Sequence, residues 1–428
     1  MKRFINSVDQ LARAELTIPL GTQTFSKSRT QYPVGVSPLF AKKAKRAYVW
    51  DIDGNKYIDL VSALAAVTLG YGDNKVENAV KKQLKMGVSL SLPTKLEAEV
   101  SELITQLVPA AEMVRFSKNG SDATSAAIRL ARSYTGRDHI IVCGYHGWQD
   151  WYIGSTSRNS GVPKAVSGLT HSFEYNNIDS LKEKITLLDG NLAAVILEPM
   201  NSTYPKTGFL ESVKDLTHKA GAVLIFDEII TGFRFSRGGA QEQFKVIPDL
   251  ATLGKGIANG FPLAAVVGKK EIMLEMEKVF ISGTFGGELL SLAASKVVLQ
   301  RHINEDVCGD LAEKGNKLAE LTLKAIHENN IDDVISLSGH PTWKFINWES
   351  TPNYSAQEIK TYFMQEVFQE GILVLGTHNI TQAHNNRTIN KIFDSYFRVF
   401  QKIKSALESN KLKEELRVPP LVPLFKVR

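Results

Sequence analysis

Between about residues 95 and 270 the chain repeats one pattern: apolar runs of four to six residues alternate with segments whose apolar residues recur at helical spacing. Ile140 to Cys143, Ala193 to Leu197, Ala222 to Phe226 and the run that ends at Leu253 read as strands too uniformly apolar to keep one face in water. Ala123, Ala127, Leu130, Ala131 and Tyr134 share one helical face, and Gly136 stops that helix. Phe209 to Ala220 reads as a second helix with Gly221 as its C-cap. Strands buried on both faces and joined by helices build a mostly parallel sheet covered on either side, so the expected fold class is α/β. Ligands of such sheets sit beyond the carboxyl ends of the strands. The residues that follow each apolar run are therefore the place to look for chemistry.

The flanks have a different texture. The first ~20 residues read as a short amphipathic helix with Phe4, Ile5, Val8, Leu11 and Ala12 on one side. Ala47 to Asp59 reads as a hairpin turning at Asp53-Gly54. From about residue 310, long charged helices (Asp310 to Asn329, Ser355 to Gln369) flank a strand at Trp343 to Trp348, and Val418-Pro-Pro-Leu-Val-Pro reads as a docked extended strap.

Composition excludes several classes. Two cysteines, Cys143 and Cys308, are too few for a disulfide scaffold or a cysteine-based zinc module and fit a reducing cytoplasm. The apolar runs fall short of the ~18 residues a membrane span needs. Asp9, Arg13 and Glu15 break any secretory apolar region. The 51 basic and 45 acidic residues give a charge of +6, scattered except at Lys42, Lys43, Lys45 and Arg46. No nucleic-acid-binding pattern accompanies that cluster. The expectation is small anionic ligands, with no nucleic acid, no membrane and no metal.

Three strand ends stand out. Ser117-Lys-Asn-Gly-Ser-Asp122 precedes the alanine-rich helix; Gly120 and Ser121 there suit a phosphate, though Ser121 or Asp122 would serve equally as a plain N-cap. Asp227 closes a buried strand, where an acid needs a partner: a metal, a protonated ring nitrogen, a helix cap or an internal ion pair. Lys255 lies between Gly254 and Gly256, where lost hydration frees an amine for imine formation. A P-loop is ruled out, because Gly256 stands where Ser or Thr is needed and Asp249 where Gly is needed. Together these are the parts of a pyridoxal 5'-phosphate (PLP) site: a phosphate cradle, an acid for the pyridinium nitrogen and an imine-forming lysine.

The order and context carry a family resemblance. Phe226-Asp-Glu-Ile-Ile-Thr-Gly-Phe-Arg234 and Pro248-Asp-Leu-Ala-Thr-Leu-Gly-Lys-Gly-Ile-Ala-Asn-Gly-Phe-Pro-Leu263 resemble the signature of class III PLP-dependent aminotransferases, in the branch of glutamate-1-semialdehyde aminomutase and its relatives. Tyr145-His-Gly147 and Gly283-Thr-Phe-Gly-Gly287 resemble two further motifs. The resemblance implies a fold type I large domain over residues 61–309. A smaller α+β domain would then be formed by residues 1–60 and 310–428. It implies that Lys255 carries the cofactor and moves the proton, and that Asp227 keeps the pyridinium nitrogen protonated. Gly120 and Ser121 match the phosphate cradle. Tyr145 matches the aromatic stacked on the ring with His146 beside it, and Ile229 should pack under the opposite face. Thr284 resembles a hydroxyl that reaches the phosphate of the neighbouring subunit, which implies a homodimer with shared sites. Glu198 matches an acid near the site, counted here among the substrate contacts. Asp122, Ile230 and Glu288-Leu289 depart from the usual Glu, Gln and Asn-Pro, which suggests a specialised branch.

The implied reaction is transamination from an amino donor, expected to be glutamate, to a carbonyl acceptor. Lys27 falls near the position of a carboxylate-binding cation, although an exposed loop lysine reads the same way. Trp148 and Trp151 could face a sugar, although core packing is the ordinary fate of a tryptophan. The Gly21-to-Ser28 and Tyr145-to-Trp151 strings resemble bacterial aminotransferases acting on sugar-like carbonyls. That implies as acceptor a carboxylated sugar such as an oxidised 3-deoxy-manno-octulosonate with a C8 aldehyde. Two other readings stand beside this one: a glutamate-1-semialdehyde 2,1-aminomutase, and a non-catalytic binding or regulatory protein that keeps the fold.

Overall fold

The computed structural model describes residues 2–422. The chain divides into two compact units, one running from the start to Asp73 and from Asp310 onward, the other Asn74–Gly309. The first segment thus reaches Asp73 rather than residue 60.

The larger unit is organised on a seven-stranded sheet. Its strands in chain order are β1 (Met113–Ser117), β2 (His139–Cys143), β3 (Thr170–Ser172), β4 (Leu192–Leu197), β5 (Val223–Glu228), β6 (Leu250–Leu253) and β7 (Ala264–Gly268). The spatial order is β1-β7-β6-β5-β4-β2-β3. Only β7 runs against its neighbours; the other pairings are parallel. Strands β4 to β7 are buried along their whole length. Alternate residues feed two cores. Ile140, Ala194, Ile196 and Ile225 pack with Ala127, Leu130 and Ala131 of helix α1 (Gly120–Thr135), and Ile141, Val195, Leu224 and Phe226 pack with Phe209, Leu210 and Val213 of Phe209–Lys219. Tyr134, expected on the inner face of α1, is 44% exposed. Gly136 and Gly221 both take left-handed conformations just past these helices.

In the smaller unit, antiparallel Tyr48–Asp51 and Lys56–Asp59 form the expected hairpin. Ala41–Lys45 pairs on one side and Ile372–Leu373, parallel, on the other. Ile335–His340, Trp343–Trp348 and Thr377–Asn379 make a second sheet of three strands. The long helices run Val307–Glu328, Ala356–Gln369 and Asn386–Glu408. The tail lies along one of them, with the Leu421 N–H donating to Thr361 Oγ1 at 2.9 Å; the last residue of the expected strap, Pro423, lies outside the described residues. The first helix is Ile5–Glu15, but its buried stripe is Phe4, Ser7, Leu11 and Ala14, not the one that includes Ile5, Val8 and Ala12. Asp53 explains the rotation: it accepts from the Asn6 and Ser7 amides and the Ser7 hydroxyl, turning a polar residue inward.

Ser62–Ala65 is one left-handed turn, with φ between +48° and +68° at four successive non-glycine residues. Each such residue is unfavourable for an L side chain. The turn is clamped from two sides. Asp59 Oδ1 accepts from the Val61 and Ser62 amides, the Ser62 hydroxyl donates to the Asn379 carbonyl, and Asn379 Nδ2 donates to the Val61 carbonyl. We expect Ala63→Gly to raise stability by about 1 kcal/mol, read by thermal unfolding, because glycine removes the Cβ penalty at that position.

Candidate active site

Parallel strands bring their carboxyl ends to one edge of the sheet, and the motif residues of the larger unit collect there. Gly120 and Ser121 follow β1, Tyr145 and His146 follow β2, Glu198 follows β4, Asp227 and Ile229 end β5, and Lys255 follows β6.

Asp227 is buried. His146 Nδ1 lies 2.8 Å from its Oδ2, while its Oδ1 accepts from the Ile229 amide at 3.1 Å and the Thr252 hydroxyl at 3.2 Å. These donors fix the direction of the carboxylate. Thr252 was not singled out from sequence, yet a lone polar residue in the run Leu-Ala-Thr-Leu needs a partner and so was a usable signal. His146 is itself held from α1, where Thr124 Oγ1 donates to its carbonyl at 2.9 Å. Its ring stands edge-on to Tyr152 and stacks at 6.4 Å on Trp151.

Lys255 is partly covered, and its amine is pulled below the ordinary lysine range. Lost hydration is the main cause; Asp227 and Glu198 oppose it, and Arg234 adds to it. Its φ of +39° opens a short 3-10 turn, Lys255–Ala258. Glu198 is 7% exposed, and burial beside Asp227 pushes its carboxyl upward. Its Oε2 accepts from the Tyr145 amide and from Asn201 Nδ2, both at 2.9 Å. Glu198 is thus a buried support for Tyr145. Gly144 makes room for it, since a Cβ there would fall 2.6 Å from Oε2.

Three further glycines bring these parts together. A Cβ at Gly147 would lie 2.7 Å from Ser121 Cβ, so the Tyr145-His146 turn closes directly on the start of α1. A Cβ at Gly120 would meet Ile229 at 3.1 Å, and one at Gly254 would meet it at 3.0 Å, so Ile229 is wedged between the cradle and the lysine turn. The first amides of α1 have no partner within the helix.

Other residues are placed differently. Trp151 is a core residue, with its Nε1–H donating to Ser125 Oγ at 2.9 Å. Trp148 is 65% exposed and Tyr145 43%. Thr284 is exposed on the loop over residues 281–287, along a cavity of about 930 Å³ whose lining includes Lys118, Asp122 and Arg129 but not Lys255, Asp227 or Tyr145. Lys27 belongs to the smaller unit and is exposed there. Glu228, next to Asp227, does structural work: its buried carboxylate accepts from Thr231, Ala240 and Gln241, and so pins the loop after β5.

PLP suits this arrangement on structural grounds. A phosphate needs the free helix amides and the glycine-cleared space at Gly120. A pyridinium nitrogen needs a buried, oriented acid. His146 Nε2 is buried without a hydrogen-bond partner among the described residues, as expected beside a polar ligand. Fold and site together define a PLP-dependent transferase of fold type I.

The comparisons with known proteins agree. The family Aminotransferase class-III matches residues 31–404, and the chain belongs to that family. It is a PLP-dependent transaminase. Among curated relatives, the 3-aminobutyryl-CoA aminotransferase of Cloacimonas acidaminovorans is 32% identical over 385 residues, covering 88% of this chain and 92% of the relative. The glutamate-1-semialdehyde 2,1-aminomutase of Alkaliphilus oremlandii is 40% identical over 350 residues, covering 77% and 82%. Among solved structures, the FumI protein of Sphingopyxis sp. MTA144 superposes with a TM-score of 0.88 at 25% identity, covering 96% of this chain and 98% of that one. A glutamate-1-semialdehyde aminomutase from Pseudomonas aeruginosa PAO1 shares the fold with a TM-score of 0.82 at 22% identity, covering 93% and 95%. No helix among the described residues is long and apolar enough to cross a membrane.

Proposed function

We propose that this enzyme moves an amino group from glutamate to the carbonyl of a small carboxylated sugar. The acceptor that fits best is an oxidised 3-deoxy-manno-octulosonate bearing a C8 aldehyde, giving 8-amino-3,8-dideoxy-manno-octulosonate for cytoplasmic lipopolysaccharide synthesis. The supporting observation is a cavity of about 310 Å³ that reaches Gly144, next to Tyr145, without including Lys255 or Asp227, and is lined by Tyr152, Ser155, Thr156, Ser157 and Ser172 together with Val142 and Gly144. Hydroxyls at this density match a polyhydroxylated ligand, and the exposed rings of Tyr145 and Trp148 follow directly in sequence.

In this reading the residues divide the work as follows. The amides of Gly120 and Ser121 bind the phosphate, with Thr284 serving the site of a second copy. Tyr145 and Ile229 bracket the ring, and Asp227, aimed by His146, Ile229 and Thr252, holds a proton on its nitrogen. When bound, PLP supplies an electron-withdrawing ring that stabilises charge at the carbon losing its proton. Lys255 carries that proton, and its depressed pKa keeps the amine available as a base. Lys27 supplies a cation for the substrate carboxylate. A homodimer is part of the proposal: Leu84, Met86, Leu90, Leu92, Phe280 and Phe285 leave apolar surface for a second copy to cover.

The aminomutase reading has its own support, since relatives carrying that name reach 40% identity. An assay of 2-oxoglutarate release separates the two. We expect release from glutamate only when a carbonyl sugar acid is supplied. Turnover of glutamate-1-semialdehyde without any donor would instead favour the aminomutase, and absence of turnover with either would favour a non-catalytic fold.

A further inference from the structure

Lys118 and Glu288 form an ion pair of 3.0 Å whose side chains are only 18% and 14% exposed. Lys118 lies between β1 and the cradle glycine, Gly120. Glu288 immediately precedes helix α2 (Leu289–Asn304), and its carboxylate also accepts from the Leu290 amide at 2.7 Å, the Ser291 amide at 3.2 Å and the Ser291 hydroxyl at 2.6 Å. One carboxylate therefore caps α2 and grips the segment that leads into the cradle.

The loop over residues 281–287, which carries Thr284, ends at this pair. Its start is tied to β1 by Arg115 Nη2, which donates to the Ile281 carbonyl at 3.0 Å. Its end is packed so closely that a Cβ at Gly286 would lie 3.2 Å from the Phe116 carbonyl and one at Gly287 2.8 Å from the Glu97 carboxyl carbon. Between these anchors, Thr284 and Phe285 remain exposed. The loop is thus fixed at both ends and open in the middle, with the ion pair closing it onto the cradle segment.

We infer that Lys118 and Glu288 are a positioning pair that fixes two phosphate-binding segments at once, the cradle of its own chain and the Thr284 loop that serves a second copy, and so governs how tightly the phosphate end of PLP is held. The inference rests on the reading of Gly120, Ser121 and Thr284 as phosphate contacts. An ion pair largely withdrawn from water is directional, and removing one member strands the other charge, whereas replacing both relieves that penalty. Stability and cofactor affinity can therefore be separated.

The test titrates PLP into the apoenzyme, following protein fluorescence, and measures thermal unfolding of the same apoproteins. The set is wild type, Lys118→Met, Glu288→Gln, the double variant and Ser121→Asp. Each single change in the pair is expected to lower Tm and to weaken PLP about tenfold, the factor for loss of one hydrogen bond to a charged group. The double variant should recover Tm while PLP stays weak. Recovery of both quantities in the double variant, or single variants with lower Tm and unchanged PLP affinity, would show a purely structural pair and overturn the inference. If Ser121→Asp, which places a negative charge among the cradle amides, binds PLP as tightly as wild type, the cradle reading itself fails and takes the inference with it.

Discussion

Replacing Lys255 with alanine is expected to lower transamination turnover by at least about 10³-fold while leaving the fold in place, because in the proposed reading one amine supplies both the covalent attachment and the proton transfer. The loss is local. Lys255 is partly covered, and its amine already sits below the ordinary lysine range. Alanine removes a poorly hydrated amine and strands no hydrogen-bond partner that the structure gives it. The same positive φ is retained, so the backbone strain of the turn is unchanged. Steady-state turnover with circular dichroism of the same preparation checks both halves of the statement. A variant that keeps more than a tenth of wild-type turnover contradicts the role.

Asp227→Asn is expected to cost about 10³-fold in turnover, the order found when a preorganised charge is removed from a catalytic site. Asparagine keeps the shape and an oxygen able to accept from the Ile229 amide, but not the charge. Asp227→Ala is a poorer probe. It orphans the Ile229 amide and the Thr252 hydroxyl and strips His146 Nδ1 of its partner, adding about 1–3 kcal/mol of lost stability per buried group left unmade. We therefore expect the alanine variant to lose Tm and turnover together and the asparagine variant to lose turnover alone. Unchanged turnover in the asparagine variant contradicts the pyridinium role.

The positions of these residues were legible because strands buried on both faces leave a plain apolar signature. Once β5 and β6 could be read from sequence, Asp227 and Lys255 had to fall at one edge of the sheet. What surrounds them was less legible. Glu198 and Thr252 act through partners far away in sequence, and no local pattern says that Glu198 meets the Tyr145 amide. Trp151 read two ways beside Trp148, as a sugar contact or as core, and its indole N–H, which donates to Ser125, decides for the core. The first helix was legible, as were Phe4 and Leu11 of its buried face, but the rest of that face was not, because Asp53 turns Ser7 inward against the hydrophobic pattern. The left-handed turn at Ser62–Ala65 left no trace at all: it contains no glycine, and its residues would suit an ordinary helix.

The central claim is that Lys255 is the residue that bonds to PLP. The direct test is borohydride reduction of the holoenzyme, which converts a lysine–PLP linkage to a stable secondary amine, followed by peptide mapping. We predict that the protein is yellow, that its visible band disappears on reduction, and that the pyridoxyl group is found on the peptide containing Gly254-Lys255-Gly256. A pyridoxyl group on any other lysine, or a holoenzyme with no visible band to lose, would contradict the account.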